Sequence, residues 1–240
     1  MTRQIVFTIK TIMSLIKKVK DSNLSEANFK RFGENNHKKD TLLIIPGLRQ
    51  SIDSWIKVAN LLSKNFNVTI LELPNQGLRI NKTVGWTEND FANYVSNFIK
   101  NHFKKKIILL GHSLGGKTAA IVSVQSQDSI QHLFLYAVGG IPTKPTIITT
   151  ITGLIKKLLF PMNQSMNLVE TYNKLAVSTT LIYGQYDLIT RPTMGKQISK
   201  MIKNSSFILI PNTTHLAHEE EPELFCQIIS KELKPWQKNY

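Results

Sequence analysis

Apolar residues in this chain gather in short, dense runs. Thr41 to Ile45 (TLLII), Ile107 to Leu110 (IILL), His132 to Val138 (HLFLYAV) and Thr179 to Tyr183 (TTLIY) are almost free of polar alternation. Runs of this kind suit strands buried on both faces, as in a parallel sheet. Asn67 to Leu73 (NVTILEL) and Ser206 to Ile210 (SFILI) read as two more strands, and Asn28 to Gly33 (NFKRFG) alternates as an edge strand does. Between the runs the apolar spacing changes to a helical one. Trp55, Ile56, Ala59 and Leu62 share a face behind Ser51, a residue type suited to an N-cap. Phe91, Val95, Phe98 and Ile99 do the same behind Thr87, with Asp90 three positions on to complete a capping box. Pro192 to Lys203 and Glu221 to Leu233 read as helices. Strands alternating with helices predict an α/β fold: a mostly parallel central sheet with helices on both faces.

Two stretches break the alternation. Ile141 to Ser178 shows no clear strand and carries an amphipathic set, Ile147, Ile148, Ile151, Leu154, Ile155, Leu158 and Leu159. It reads as a short helical lid inserted in one domain spanning residues 25–240. Residues 1–24 form a basic amphipathic segment, with Ile5, Ile9, Ile12, Leu15, Ile16 and Val19 at helical spacing among Lys10, Lys17, Lys18 and Lys20. Lys10 interrupts the unbroken apolar region a secretory signal needs. A helix docked on the domain, a helix lying on a membrane surface and an organelle-targeting segment all remain open.

Composition adds three points. The 240 residues, 42% of them hydrophobic, are enough for one domain with a sizeable core. The net charge of +14 favours acidic or anionic partners. The lysines are scattered, however, without the arginine and aromatic interleaving of a nucleic-acid site, so no nucleic-acid partner is expected. One cysteine, Cys226, excludes an internal disulfide and fits a reducing, cytoplasmic setting. Its position in the last helix fits a small core residue.

The candidate chemistry starts at Gly111-His112-Ser113-Leu114-Gly115-Gly116, between a strand run and the helix-capable Lys117 to Val122. A serine in G-x-S-x-G at a strand-to-helix turn is a nucleophile elbow. Gly111 and Gly115 are needed because the strained turn leaves no room for a Cβ on its neighbours. A serine hydroxyl needs a base to take its proton, and the base needs a carboxylate to orient it. In open parallel sheets such groups gather at the carboxyl ends of strands. Asp187 follows TTLIYGQY and His215 follows SFILIPNTT, and both stand at strand exits. Ser113, Asp187 and His215 therefore form the candidate triad.

These residues resemble the α/β-hydrolase superfamily, serine esterase-type with a short helical cap. The matching stretches are LLIIPGL, LELPNQG, GHSLGG, TLIYGQYDLIT and IPNTTHLAHEEEPELF. The resemblance implies an oxyanion hole made by the backbone N–H groups of Leu48 and Leu114. It departs from the family where Pro46-Gly47 replaces a common His-Gly, and where Asn75-Gln76 replaces a common Gly-His. His112 reads as a packing or pocket-lining residue and His218 as a neighbour of the base. Asp90 and Asp128 read as a helix start and a helix end, and Glu219 to Glu221 as a solvated helix start. No His/Cys cluster has metal-ligand spacing, the elbow glycines lack phosphate-loop spacing, and no cofactor is expected.

The expected activity is cleavage of a carboxylic ester or thioester through an acyl-enzyme. An acyltransferase, a lipase or a non-catalytic binding protein on the same fold are the alternatives. Expected partners are a small-molecule or acyl-chain ester, an acidic acyl carrier protein meeting Lys144, Lys156 and Lys157 of the lid, and peripheral membrane contact through the N-terminus.

Overall fold

The computed structural model describes residues 27–33, 36–48, 50–74, 86–142 and 167–237. The basic segment 1–24, Asn75-Gln76-Gly77, and most of the expected lid, with Lys144, Lys156 and Lys157, lie outside the described residues. Seven strands form one sheet in the order β1-β3-β2-β4-β5-β6-β7. They are β1 (Phe29–Phe32), β2 (Thr41–Ile45), β3 (Asn67–Leu71), β4 (Ile107–His112), β5 (Ile130–Tyr136), β6 (Thr179–Gly184) and β7 (Ser205–Ile210). β1 runs antiparallel to β3 on the edge, and every other pairing is parallel.

The unbroken apolar runs are explained by two cores. Leu42, Ile44, Ile108 and Leu110 point into one, and Leu43, Ile45, Ile107 and Leu109 into the other. Helices α1 (Ile56–Leu62), α6 (Ala217–Glu220) and α7 (Pro222–Gln237) cover the first face. Helices α2 (Glu88–His102), α3 (Leu114–Gln125), α4 (Val169–Lys174) and α5 (Pro192–Met201) cover the second. Among the described residues no helix is long and apolar enough to cross a membrane.

Several boundaries differ from the sequence expectation, each for a local reason. β3 ends at Leu71, and the carboxylate of the next residue, Glu72, faces the neighbouring loop. That carboxylate accepts the backbone N–H of Ile52 at 2.7 Å and the Asn28 amide at 2.5 Å. The expected α1 start is corrected: residues Ile52–Trp55 form a 3-10 turn, and the Ser51 side chain makes no cap hydrogen bond. The first N–H of that turn, at Ile52, is met by Glu72 from beside the sheet. β5 stops before Ala137, whose φ of 49° takes the chain out of the strand. The expected last helix, Glu221 to Leu233, is one helix running to Gln237, with Pro222 opening it where its missing N–H costs nothing, and the short α6 precedes it. At the far end of the expected insertion, Leu168, Tyr172, Leu175 and Val177 are buried in the same core as α2 and α3.

Candidate active site

Ser113 is the single residue between β4 and α3. Its φ of 51° and ψ of −111° are strained for a residue with a side chain. The turn closes because a Cβ at Gly111 would overlap the backbone of Gly115, and one at Gly115 would overlap the carbonyls of Ile45 and Pro46. The second contact also draws the loop after β2 against the start of α3. The Ser113 N–H donates to the Tyr136 carbonyl at 2.9 Å, tying the elbow to the end of β5.

The candidate acid and base meet at the exits of β6 and β7. His215 Nδ1 lies 2.8 Å from Asp187 Oδ2. Asp187 is fully buried, and its Oδ1 accepts the N–H groups of Ile189 (2.8 Å) and Thr190 (2.9 Å). Those bonds hold the carboxylate in place. The Thr190 hydroxyl stands 2.8 Å from Asp187 Oδ2, 2.9 Å from the Ala137 carbonyl and 3.3 Å from His215 Nδ1. The imidazole of His215 packs on that of His112, with ring centres 4.8 Å apart, and His112 immediately precedes Ser113. Among the described residues the Ser113 hydroxyl makes no hydrogen bond, to His215 or to any other group. Catalytic hydrogen bonds are often long before substrate arrives.

The expected oxyanion donors are both available. Leu114 opens α3, and the first N–H of a helix has no intrahelical acceptor. The Leu48 N–H has no acceptor among the described residues, whereas its neighbour Gly47 donates to Gln50 Oε1 at 2.8 Å.

Beneath the site lies a polar cluster for which the sequence held no signal, because its members are far apart in the chain. Gln50 Oε1 also faces Trp55 Nε1 at 3.2 Å and His112 Nδ1 at 2.7 Å, and Gln50 Nε2 stands 3.3 Å from His218 Nε2. His112 Nε2 and the Tyr136 hydroxyl both reach the His215 carbonyl, at 3.1 and 2.9 Å. The same hydroxyl lies 3.2 Å from His218 Nδ1. Burial holds the His112 imidazole well below its usual range, and burial with the nearby His215 pushes His218 down to about 3. Both rings are therefore neutral near pH 7. Burial also raises the Tyr136 phenol, keeping it protonated. His218 is stacked on Trp55 with ring centres 4.0 Å apart, whereas His215 contacts Asp187.

Glu220, exposed in a short helix, has a further contact that the sequence did not signal. Its carboxylate binds the Thr214 N–H at 2.7 Å and the Thr214 hydroxyl, bracing the residue before His215. Asp90 caps α2 with Thr87, and Asp128 lies in a 3-10 turn at the opposite end of β5 from Tyr136. Cys226 is buried in α7.

A family model described as alpha/beta hydrolase fold matches residues 40–160. The uncharacterized hydrolase YugF of Bacillus subtilis is 23% identical, the alignment covering 83% of this chain and 92% of that protein. The crystal structure of MGS-MChE2, an alpha/beta hydrolase enzyme from the metagenome of Mar Chica lagoon sediments in Morocco, superposes with a TM-score of 0.71. It is 23% identical, with 88% of this chain and 96% of that one covered. A thermophilic esterase from Thermogutta terrifontis superposes with a TM-score of 0.72 at 19% identity, over 87% of this chain and 93% of that one.

Proposed function

The chain belongs to the α/β-hydrolase family, and we propose that it is a serine hydrolase acting on a carboxylic ester or thioester. The observation that carries this reading is the 2.8 Å contact between His215 and the buried Asp187, on a loop packed against the residue preceding Ser113. Ser113 Oγ attacks the carbonyl carbon while His215 Nε2 takes the hydroxyl proton. Asp187 holds Nδ1–H toward itself, which selects the tautomer with a free Nε2 lone pair and stabilises the imidazolium that forms. The negative charge on the tetrahedral oxygen is met by the N–H groups of Leu48 and Leu114, each worth about 3 kcal/mol in comparable sites. His215 then returns the proton to the departing alcohol or thiol. Water, activated by the same imidazole, releases the acid.

An apolar substrate portion is supported by the surroundings. Tyr186, Leu188 and Ile189 flank Asp187, and Leu216 follows His215, all with exposed side chains. Apolar groups grouped around a reactive centre favour an acyl chain over a charged substrate.

The test is labelling by a fluorophosphonate together with a panel of p-nitrophenyl esters and acyl thioesters. Wild type is expected to be labelled, and Ser113→Ala to lose labelling and at least about a thousandfold in turnover. A folded wild type that resists the label, or a Ser113→Ala variant as active as wild type, overturns the proposal.

A further inference from the structure

The buried cluster beneath His215 has a direction that its chemistry sets. The N–H groups of Gly47 and Trp55 can only donate, so the Gln50 oxygen faces them and the Gln50 NH2 faces His218. An amide NH2 can only donate, which makes His218 Nε2 an acceptor. The Glu219 carboxylate also faces that nitrogen, but at 3.5 Å, farther than the 3.3 Å to Gln50. A neutral ring that accepts at Nε2 carries its proton on Nδ1. His218 Nδ1–H therefore donates to the Tyr136 oxygen, and the Tyr136 hydroxyl donates onward to the His215 carbonyl.

The ends of this chain of bonds are parts of the reaction site. At one end is Gly47, next to the oxyanion donor Leu48. At the other is the main chain of His215. In the middle, Tyr136 accepts the Ser113 N–H through its own carbonyl. The space is built for this arrangement: a Cβ at Gly47 would come within 2.7 Å of His112 Nδ1 and 3.1 Å of Gln50 Oε1. Trp55 stacks on His218 and prevents the ring from turning.

We infer that Gln50, His218 and Tyr136 are positioning residues, forming one buried relay that holds the oxyanion loop, the nucleophile and the base in mutual register. This inference rests on the proposed roles of Ser113 and His215. A pocket of this kind loses rate steeply when a reacting group is misplaced, by about a hundredfold for 1 Å. The relay should therefore act on the chemical step and leave initial binding alone.

The experiment uses the full chain and measures fluorophosphonate inactivation as separate kinact and KI values. The variants are Tyr136→Phe, Gln50→Met and the double variant, with Ser113→Ala as control. Tyr136→Phe removes one oxygen, and Gln50→Met keeps the side-chain length, so thermal melts establish that each variant is folded. Each single variant is expected to lose about tenfold or more in kinact, with KI within about twofold of wild type. The double variant should lose no more than the worse single, because both changes break the same chain of bonds. Folded singles with wild-type kinact overturn the relay, and so does a double variant whose loss is the product of the two. Labelling of Ser113→Ala at the wild-type rate would instead overturn the proposed nucleophile, an outcome separate from either.

Discussion

Ser113 holds a backbone conformation that side-chain-bearing residues avoid, and Gly111 and Gly115 are what permit it. Gly115 has a second role, since its bare Cα lets the Ile45 and Pro46 carbonyls approach the first turn of α3. Gly115→Ala is therefore expected to cost about 1–3 kcal/mol of stability by overpacking. It should also lower ester turnover further than the lost stability explains, because the loop bearing Leu48 moves away from Ser113. A thermal melt read beside p-nitrophenyl acetate turnover checks both, and a variant with wild-type melting and turnover would remove this reading. At this scale the sequence was legible where the local backbone imposes a fixed spacing. Ser113 with its glycines, and Asp187 and His215 at strand exits, are such cases. Thr190 is a partial case, because an acid followed three positions later by threonine is a known local hydrogen-bonding pattern. Gln50 was not legible, since its partners His112 and His218 lie 62 and 168 positions away.

Elements were recognised wherever hydrophobic period and a terminal signal agreed. α2 shows this best: Thr87 accepts the Asp90 N–H at 3.3 Å, and Asp90 accepts the Thr87 N–H at 2.8 Å. The apolar face read from Phe91, Val95, Phe98 and Ile99 is buried. Thr87→Ala should therefore destabilise the protein by about 1 kcal/mol, seen as a lower urea midpoint with an unchanged slope. An unchanged midpoint would mean that the cap contributes nothing. Ser51 carries the same kind of signal, yet its side chain caps nothing. The Ile52 N–H that opens the turn is met instead by Glu72, just past β3, a tertiary contact that a local reading cannot see. The strand ends follow the same logic. Apolar runs mark where a strand is buried, whereas the last pairing residue depends on tertiary bonds such as that from the Glu72 N–H to the Asn28 carbonyl at 3.0 Å.

For the whole molecule, the buried neutral imidazoles set its response to acid. Burial pushes His132 down to about 4 and, with help from the nearby His215, His218 to about 3, while His112 is held well below its usual range. In the unfolded chain each returns to about 6.5. Between those values the unfolded state binds protons that the folded state refuses, so stability rises with pH there. The stabilisation is complete above about pH 6.5 and is lost as pH falls toward the folded values, by up to about 1.4 kcal/mol per pH unit for each histidine. Asp40 and Glu219, whose carboxyls burial raises, act in the opposite direction, but Asp40 is only half-buried and Glu219 is exposed, so they offset little. The titratable groups facing the two histidines beneath the site are His215, Tyr136, Glu219 and each other. Urea unfolding at pH 7.5, 6.5, 5.5 and 4.5 is expected to show a flat region above 6.5 and a steepening decline below it. His132→Gln, on β5 and remote from the relay, should make that decline shallower. A decline that begins only below pH 4.5, or one unchanged by His132→Gln, would assign acid sensitivity to the carboxylates instead. Because two of the three histidines lie in the cluster that grips His215, labelling of Ser113 by a fluorophosphonate should fail over the same pH range as the fold. It should not survive as an active but loosened state.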